Sequence, residues 1–423
     1  MVSNLSAIFK IPDLRKRFFY TIGILILFRL GTHIPIAGID PVAVRSLFDR
    51  ETSGLLGLAN LFSGGALSNF SIFALGILPY INASIIMQLM VVVVPQLKEL
   101  FEEGDSGRKQ IAQYTRYLTI FLALVQAIGW ITGPLRGAIL PDYNFIWFFI
   151  SASIFLIAGS MFVMWLGELI TEHGIGNGAS LLIFTGIISR LFNYFFQTYA
   201  QVQSGVSVLN VVLMCIVLLG VIVSIIYVQQ AERKIPVQYA KRVVGRKVYG
   251  GQSTYIPLKI NQGGVLPIIF ATTVLSFLFT VVNFFPGEFM KGVAASLGGG
   301  AIYAIFLFFL IFFFTFFYTA IMFNPVELAD NIKKYGGFIL GVRPGKPTAD
   351  FLEKIITRLT LVGALFLAFV AIVPMTAASI TRITAFSGIG GTSLLIMVGV
   401  ALDLVRQIEM HLVNRQYEGM VDR

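Results

Sequence analysis

The sequence predicts an all-α polytopic membrane protein with ten transmembrane helices. Of its 423 residues, 57% are hydrophobic and only 12% are charged, which is too little charge to cover a soluble domain of this size. Ten apolar segments approach the ~20 residues that a spanning helix needs. Lys and Arg also fall unequally on the two sides of these segments, as they do in membrane proteins.

The apolar segments are placed from the N-terminus onward, and the last is expected to continue to Met410. The ten predicted spans are Phe18–Ile36, Phe70–Val94, Tyr117–Thr132, Phe145–Leu166, Ala179–Phe196, Val208–Val228, Val265–Phe285, Ile302–Phe323, Leu359–Pro374 and Thr392–Leu404. The first is read as an uncleaved helix, because basic residues precede it and no small-residue cleavage site follows.

The basic residues orient the predicted spans. With the N-terminus in the cytosol and the loops alternating, 24 of the 31 Lys and Arg residues lie in cytosolic segments. This excess favours an even number of spans with both termini cytosolic.

Two long basic loops, 231–264 and 324–357, follow the sixth and eighth spans and are expected to protrude into the cytosol. They carry seven and six Lys or Arg residues. Such charges serve either as a topology signal or as a docking surface, and composition leaves both interpretations open.

The segment 54–69 between the first two spans is apolar, interrupted by glycines and too short to cross a membrane. It is either an interfacial helix or a half-helix folded into the bundle. Irregular backbone at membrane depth is tolerated only inside protein or beside a cavity. The residues alone favour neither alternative.

The spans contain almost no acidic residues; Asp403, near the end of the tenth, is the exception. Ion-coupled transporters usually need carboxylates near the middle of the bilayer. The pattern therefore argues against a small-solute secondary transporter, which stays as the alternative function. Arg29 and His33, both in the first span, are the main residues that could carry a charge inside the membrane. A structural role is expected for Arg29.

Motifs for catalysis or cofactors do not stand in the right context. Ser106 lies in a GxSG match within a charged loop, whereas an intramembrane protease would need its serine inside a helix. The single cysteine, Cys215, excludes an internal disulfide. The three histidines are far apart in sequence, so no metal cluster is predicted. No enzyme activity, metal or cofactor is expected.

Six stretches along the chain carry recognisable motifs: Gly64–Leu89, Gly104–Thr119, Gly174–Gly178, Asn324–Gly345, Thr357–Leu367 and Gly390–Asp403. They resemble the motifs of the SecY family, the channel subunits of the bacterial protein translocon. The resemblance extends over nearly the whole chain, the motifs come in the family's order, and they look bacterial.

The resemblance implies two inverted five-helix halves, here 1–200 and 206–423, around a central hourglass pore. It implies a passive channel in the bacterial plasma membrane. Unfolded secretory chains cross through the pore, while signal sequences and transmembrane segments leave sideways into the lipid bilayer.

The resemblance also assigns site residues. The pore ring falls on Ile77, Ile81, Ile183, Ile187, Ile269 and Ile396. The plug, within 54–69, includes Leu61, Phe62, Gly64, Gly65, Ala66 and Leu67. Without the resemblance, ordinary helix packing would be the favoured interpretation of the six isoleucines, and the resemblance favours the ring. An apolar ring would gate ions and water by dewetting.

The lateral gate is expected between the second and seventh helices. Its polar candidates are Ser84 and Gln88 on one side and Thr272 and Thr273 on the other. Interhelical bonds of this kind contribute roughly 0.6 kcal/mol each. They would either yield to a signal sequence or act as static links between helices.

The resemblance implies SecE and SecG as membrane partners, and the SecA ATPase or the ribosome at the cytosolic face as the source of energy. Secretory preproteins and signal sequences would be the substrates. The residues expected to dock SecA or the ribosome are Arg246, Lys247, Lys259 and Arg343. An intramembrane protease or insertase-like factor is a further rival.

Overall fold

The computed structural model describes residues 11–50, 55–239, 242–244, 247–249, 253–284, 300–381 and 390–421, together with Gly292 and Ile383. Most of these residues are helical. The helices are α1 Pro12–Gly31, α2 Pro41–Arg50, α3 Leu55–Phe62, α4 Leu78–Val93, α5 Pro95–Glu102, α6 Asp105–Thr132, α7 Phe145–His173, α8 Gly178–Gln203, α9 Val208–Gln230, α10 Leu266–Phe284, α11 Gly300–Met322, α12 Pro325–Lys334, α13 Lys346–Thr381 and α14 Gly391–Val421.

All ten predicted spans fall on helices, but fewer than ten helices meet the length and composition expected of a span. Among the described residues, seven are long and apolar enough, or eight if the bent pair α4 and α5 counts as one. The pair bends by 100° at Val94, because Pro95 disfavours a helical residue before it. The count of ten is therefore not confirmed.

The second predicted span begins later than expected. Residues 63–77 form turns, and α4 begins only at Leu78. Gly64, Gly65 and Gly76 all have positive φ, a conformation that a regular helix excludes. The prediction of a helix from Phe70 was therefore wrong by eight residues.

Two further boundaries differ from the prediction. Pro374 lies inside α13 rather than at its end, and this helix runs for 36 residues. The tenth predicted span was expected to continue to Met410, whereas α14 continues to Val421. Phe285, the predicted end of the seventh span, lies outside the described residues.

The described residues of the two long loops contain five strands that the sequence interpretation did not include. They are β1 Glu232–Tyr239, β2 Arg242–Val244, β3 Lys247–Tyr249, β4 Ser253–Lys259 and β5 Gly337–Ile339. Strands β4, β1 and β5 form one antiparallel sheet in that order, and β2 pairs with β3. In register, Val237 of β1 faces Thr254 of β4 and Ile339 of β5.

The three-stranded sheet, here called the loop sheet, has its own apolar core. Ile235 and Val237 alternate inward along β1, as expected for a strand with one buried face. They pack with Ile332 of α12 and with Leu352 and Ile356 of α13. The predicted separate loops thus form one folded unit. The end of the helix bundle that bears it is called the loop face.

Candidate functional site

The six predicted ring isoleucines meet in the largest apolar cluster of the protein. They are Ile77, Ile81, Ile183, Ile187, Ile269 and Ile396, and none is more than 8% exposed. They come from α4 and the residue preceding it, and from α8, α10 and α14. Helices on both sides of residue 200 therefore contribute to one core.

Helical geometry aligns the members of each isoleucine pair. Ile183 and Ile187 lie one turn apart on α8. Ile77 precedes α4, yet the Ile81 backbone N–H donates to its carbonyl at 3.1 Å. Both pairs therefore stack along their helices, and all four side chains are buried in the cluster.

A cavity of about 680 Å³ opens above the cluster on the loop face and is called the loop-face cavity. Leu266 is the first residue of α10 and follows the loop sheet closely in the chain. It lines the wall of this cavity. Ile81, Ile183 and Ile269 also line it. The side chains of Arg116 and Glu168 give it a charged rim, so the cavity carries both polar and apolar surface.

A second cavity, of about 330 Å³, lies toward the other end of the bundle and is called the opposite-face cavity. Arg29 of α1 and Arg190 of α8 line it, together with Gly64 and Gly65. All fifteen of its lining residues are described, and none is Asp or Glu.

Helix α8 shows how much protein separates the two cavities. Ile183 lines the loop-face cavity and Ser189 lines the opposite-face cavity. Six residues of α-helix rise about 9 Å. Gly186 and Ile187, both buried, lie within this short barrier.

The predicted plug packs against the same apolar cluster. Its α3 helix is followed by turns, and Leu61, Phe62 and Ala66 belong to the same apolar cluster as the isoleucines. Leu67 packs instead into a second core built around α2, α6 and α7. Gly54, the predicted first residue of this segment, lies outside the described residues.

Two glycines bring the plug against α8. A Cβ added to Gly64 would lie 2.9 Å from the Cα of Gly186, and one added to Gly186 would lie equally close to Gly64. Gly64 has φ +67°, which further disfavours any side chain. Such contact between small residues permits the close backbone approach known from membrane helix interfaces.

Of the predicted gate residues, Ser84 and Gln88 line the loop-face cavity, to whose wall α4 and α10 both contribute. Gln88 donates to the Ser84 hydroxyl at 3.4 Å, and Thr272 donates to the Ile268 carbonyl at 3.0 Å. These bonds lie within single helices rather than across the seam. Thr273 is half-buried. The role of all four as a gate stays a prediction.

Two of the predicted docking residues lie on the loop sheet or in the turn that follows it, and a third lies on the separate pair of strands β2 and β3. Lys259 ends β4 and is exposed, and Arg343 is exposed in the turn that follows β5. Lys247 begins β3, and Arg246 lies outside the described residues. The structure thus joins the second-loop residue Arg343 and the first-loop residue Lys259 on one unit.

Sequence reasoning missed an ion pair on the rim of the loop-face cavity. Arg116 of α6 donates from Nε and Nη2 to the two carboxylate oxygens of Glu168 on α7, at 3.1 and 2.8 Å. A bidentate pair of this kind fixes both distance and orientation. The residues lie 52 positions apart, so no local pattern indicated their contact.

The Gly174–Gly178 stretch forms the tight connection between α7 and α8. Gly176 has φ +91°, and the Asn177 side chain accepts from the Ser180 backbone N–H at 3.1 Å, which caps α8. Thr21 of α1 accepts from the Ile175 backbone N–H at 3.1 Å. The motif therefore positions α8, which carries two of the predicted ring isoleucines.

Within the described residues, no group of three or more His, Cys, Asp or Glu side chains is arranged to hold a metal ion. The site is a cluster of apolar side chains between two cavities.

Comparisons with known proteins show the family of the chain and its fold. The sequence model of the SecY family matches residues 71–405. The protein translocase subunit SecY of Aquifex aeolicus is 46% identical over 431 residues, with all of both chains covered. That of Thermotoga maritima is 44% identical over 423 residues, covering 98% of this chain and 96% of the relative.

Solved structures share the fold. One described as a protein conducting channel superposes with a TM-score of 0.66 at 19% identity, over 97% of each chain. Sec61 in a canine ribosome–channel complex superposes with a TM-score of 0.64 at 18% identity, again over 97% of each chain. With a family match over most of its length and relatives above 40% identity, this chain belongs to the SecY family.

Proposed function

We propose that this chain forms the channel of a protein translocase, passing unfolded secretory chains across the membrane and releasing apolar segments sideways into lipid. The observation that carries the proposal is the barrier between the cavities. Six buried isoleucines and a glycine-packed plug separate two water-accessible spaces by only about 9 Å along α8. Its relatives are translocase subunits, so the solute-transporter alternative is not favoured.

The isoleucine ring explains how one path can seal and conduct. An apolar constriction excludes ions and water by dewetting. Apolar contact is also non-directional, so a moving chain of any sequence finds no strong binding site there. The plug adds its own buried side chains, Leu61 and Phe62, to the same cluster at rest.

The seam between α4 and α10 is the proposed side exit. It borders the loop-face cavity, where Ile85, Leu266 and Phe270 offer an apolar wall beside Ser84 and Gln88. An apolar signal sequence would pack against that wall while its polar flank stays hydrated. The hydrogen bonds of Ser84, Gln88 and Thr272 within their own helices leave the seam free of strong interhelical links at these positions.

The energy for transport comes from a partner, the SecA ATPase or the translating ribosome, and the chain itself is not an enzyme. The loop sheet supports this proposal, because it is a folded unit with Lys259 and Arg343 exposed. SecE and SecG would complete the complex in the bacterial inner membrane. The loop face and both termini would be cytosolic, as the excess of Lys and Arg favours.

Reconstitution tests the proposal. The purified chain is placed with SecE and SecG in vesicles, and a radiolabelled preprotein is added with SecA and ATP. We expect protease-protected preprotein only when ATP is present. Protection that is absent with an active SecA, together with uptake of a small solute by the same vesicles, would overturn it.

A further inference from the structure

Arg29 contacts the plug through a hydrogen bond that sealing by apolar side chains does not require. It lies half-buried in the last turn of α1, and its Nη1 donates to the backbone carbonyl of Gly64 at 2.8 Å. Gly64 is the plug residue that packs against Gly186. The guanidinium therefore reaches from α1 to the point where the plug touches α8.

Arg190 makes a second contact of the same kind from another helix. It lies half-buried on α8, and its Nη2 donates to the Ser68 hydroxyl of the plug segment at 3.0 Å. A Cβ added to Gly65 would lie 3.1 Å from both Nε and Nη2 of Arg190. The glycine thus leaves room for the guanidinium to lie against the plug backbone.

The surroundings make these contacts distinctive. Arg29 and Arg190 both line the opposite-face cavity, which also receives Arg45 and His33 and no carboxylate. The two guanidinium groups therefore donate hydrogen bonds to neutral acceptors of the plug, the Gly64 carbonyl and the Ser68 hydroxyl. Hydrogen bonds from a charged donor are stronger than neutral ones. The Nε atom of Arg190 is buried without any partner, so this arginine is held by its plug contact and packing.

We propose that Arg29 and Arg190 are positioning residues that latch the plug in its closed place. One reaches from α1 and the other from α8, and they hold the two ends of the turn from Gly64 to Ser68. The inference rests on the proposed channel function and adds what keeps the barrier closed at rest. Opening must break both bonds, which leaves the two guanidinium groups facing the water of the opposite-face cavity.

The test measures the position of the plug and the resting leak separately. In a Cys215→Ala background, Ser63→Cys places a thiol in the plug, where Ser63 is fully buried. The rate at which a membrane-impermeant maleimide modifies this plug thiol reports plug exposure. Ion conductance in planar bilayers without SecA reports the seal.

We expect Arg29→Gln and Arg190→Gln each to raise resting conductance and plug-thiol modification several-fold, and the double variant to raise them further. Arg29→Lys and Arg190→Lys keep a charged donor and should stay near the parent. Arg136→Gln is the matched control, because Arg136 is exposed and lies over the Phe145 ring, away from the plug.

Ser68→Ala gives an independent result, since it removes the acceptor of Arg190 and leaves both charges in place. It should reproduce the effect of Arg190→Gln even if the arginine variants assemble poorly. Conductance and modification that match the parent in Ser68→Ala and in both glutamine variants would overturn the latch, while preprotein protection would leave the channel function standing. Failure of the parent to protect preprotein would instead contradict the channel.

Discussion

Gly64 of the plug and Gly186 of α8 touch backbone to backbone, since a Cβ added to either would lie 2.9 Å from the Cα of the other. Gly186 lies between Ile183 and Ile187, the two predicted ring residues on α8. The contact between the predicted plug and α8 is therefore at the level of the predicted ring.

Gly186→Ala should raise the resting ion leak. The added methyl group would collide with backbone atoms of the plug, which cannot rotate away, so the plug must shift. Alanine favours a helix over glycine by about 1 kcal/mol, so α8 itself should not weaken. Conductance in planar bilayers measures the effect. Gly220→Ala on α9 is the control, because nothing lies within 4 Å of its added Cβ; equal conductance in the two variants would count against the contact.

Ile396→Asn should make the ring leak at rest. Ile396 is 1% exposed, and an amide there recruits water into a constriction that is otherwise apolar. We expect a several-fold rise in single-channel opening of the idle complex. Ile396→Leu keeps the apolar surface and serves as the control. If Ile396→Asn conducts no more than the Leu variant, that residue does not gate the pore.

Arg116→Gln should lower the thermal stability of the complex modestly. The variant breaks a bidentate pair whose side chains are 45% and 24% exposed, so water screens much of the interaction. A loss of about 1 kcal/mol is expected at most for an exposed pair. Thermal unfolding in detergent measures it, and Arg116→Glu combined with Glu168→Arg should recover most of the loss. No recovery in the exchanged pair would mean that packing, rather than charge, explains the effect.

Arg343→Glu should slow SecA-driven translocation without opening the seal. Arg343 is exposed in the turn after β5, and its backbone carbonyl accepts from the Thr348 hydroxyl at 2.8 Å, a bond that the substitution leaves in place. The turn should therefore keep its shape while its charge reverses. Rates of preprotein protection are compared with Lys334→Glu, an equivalent reversal at an exposed site on α12. Equal rates in the two variants would exclude a specific docking role for Arg343.

Much of the architecture follows from the sequence alone, because a bilayer imposes strong local rules. Each run of apolar residues chosen as a span overlaps a helix of the structure, although the count of ten spans is not confirmed and α14 extends past the expected Met410. The resemblance selected six isoleucines that are all buried in one cluster. The late start of α4 was missed, although Gly76 and Pro79 stand at that point and mark a helix boundary.

The remaining features depend on contacts between residues far apart in the chain. The loop sheet pairs Val237 with Ile339, and the plug contacts join Arg29 to Gly64 and Arg190 to Ser68. Apolar spacing determines which segments become helices, because the surrounding lipid and water act on each segment locally. Which side chains then meet depends on how the whole bundle packs, and only the tertiary structure decided it.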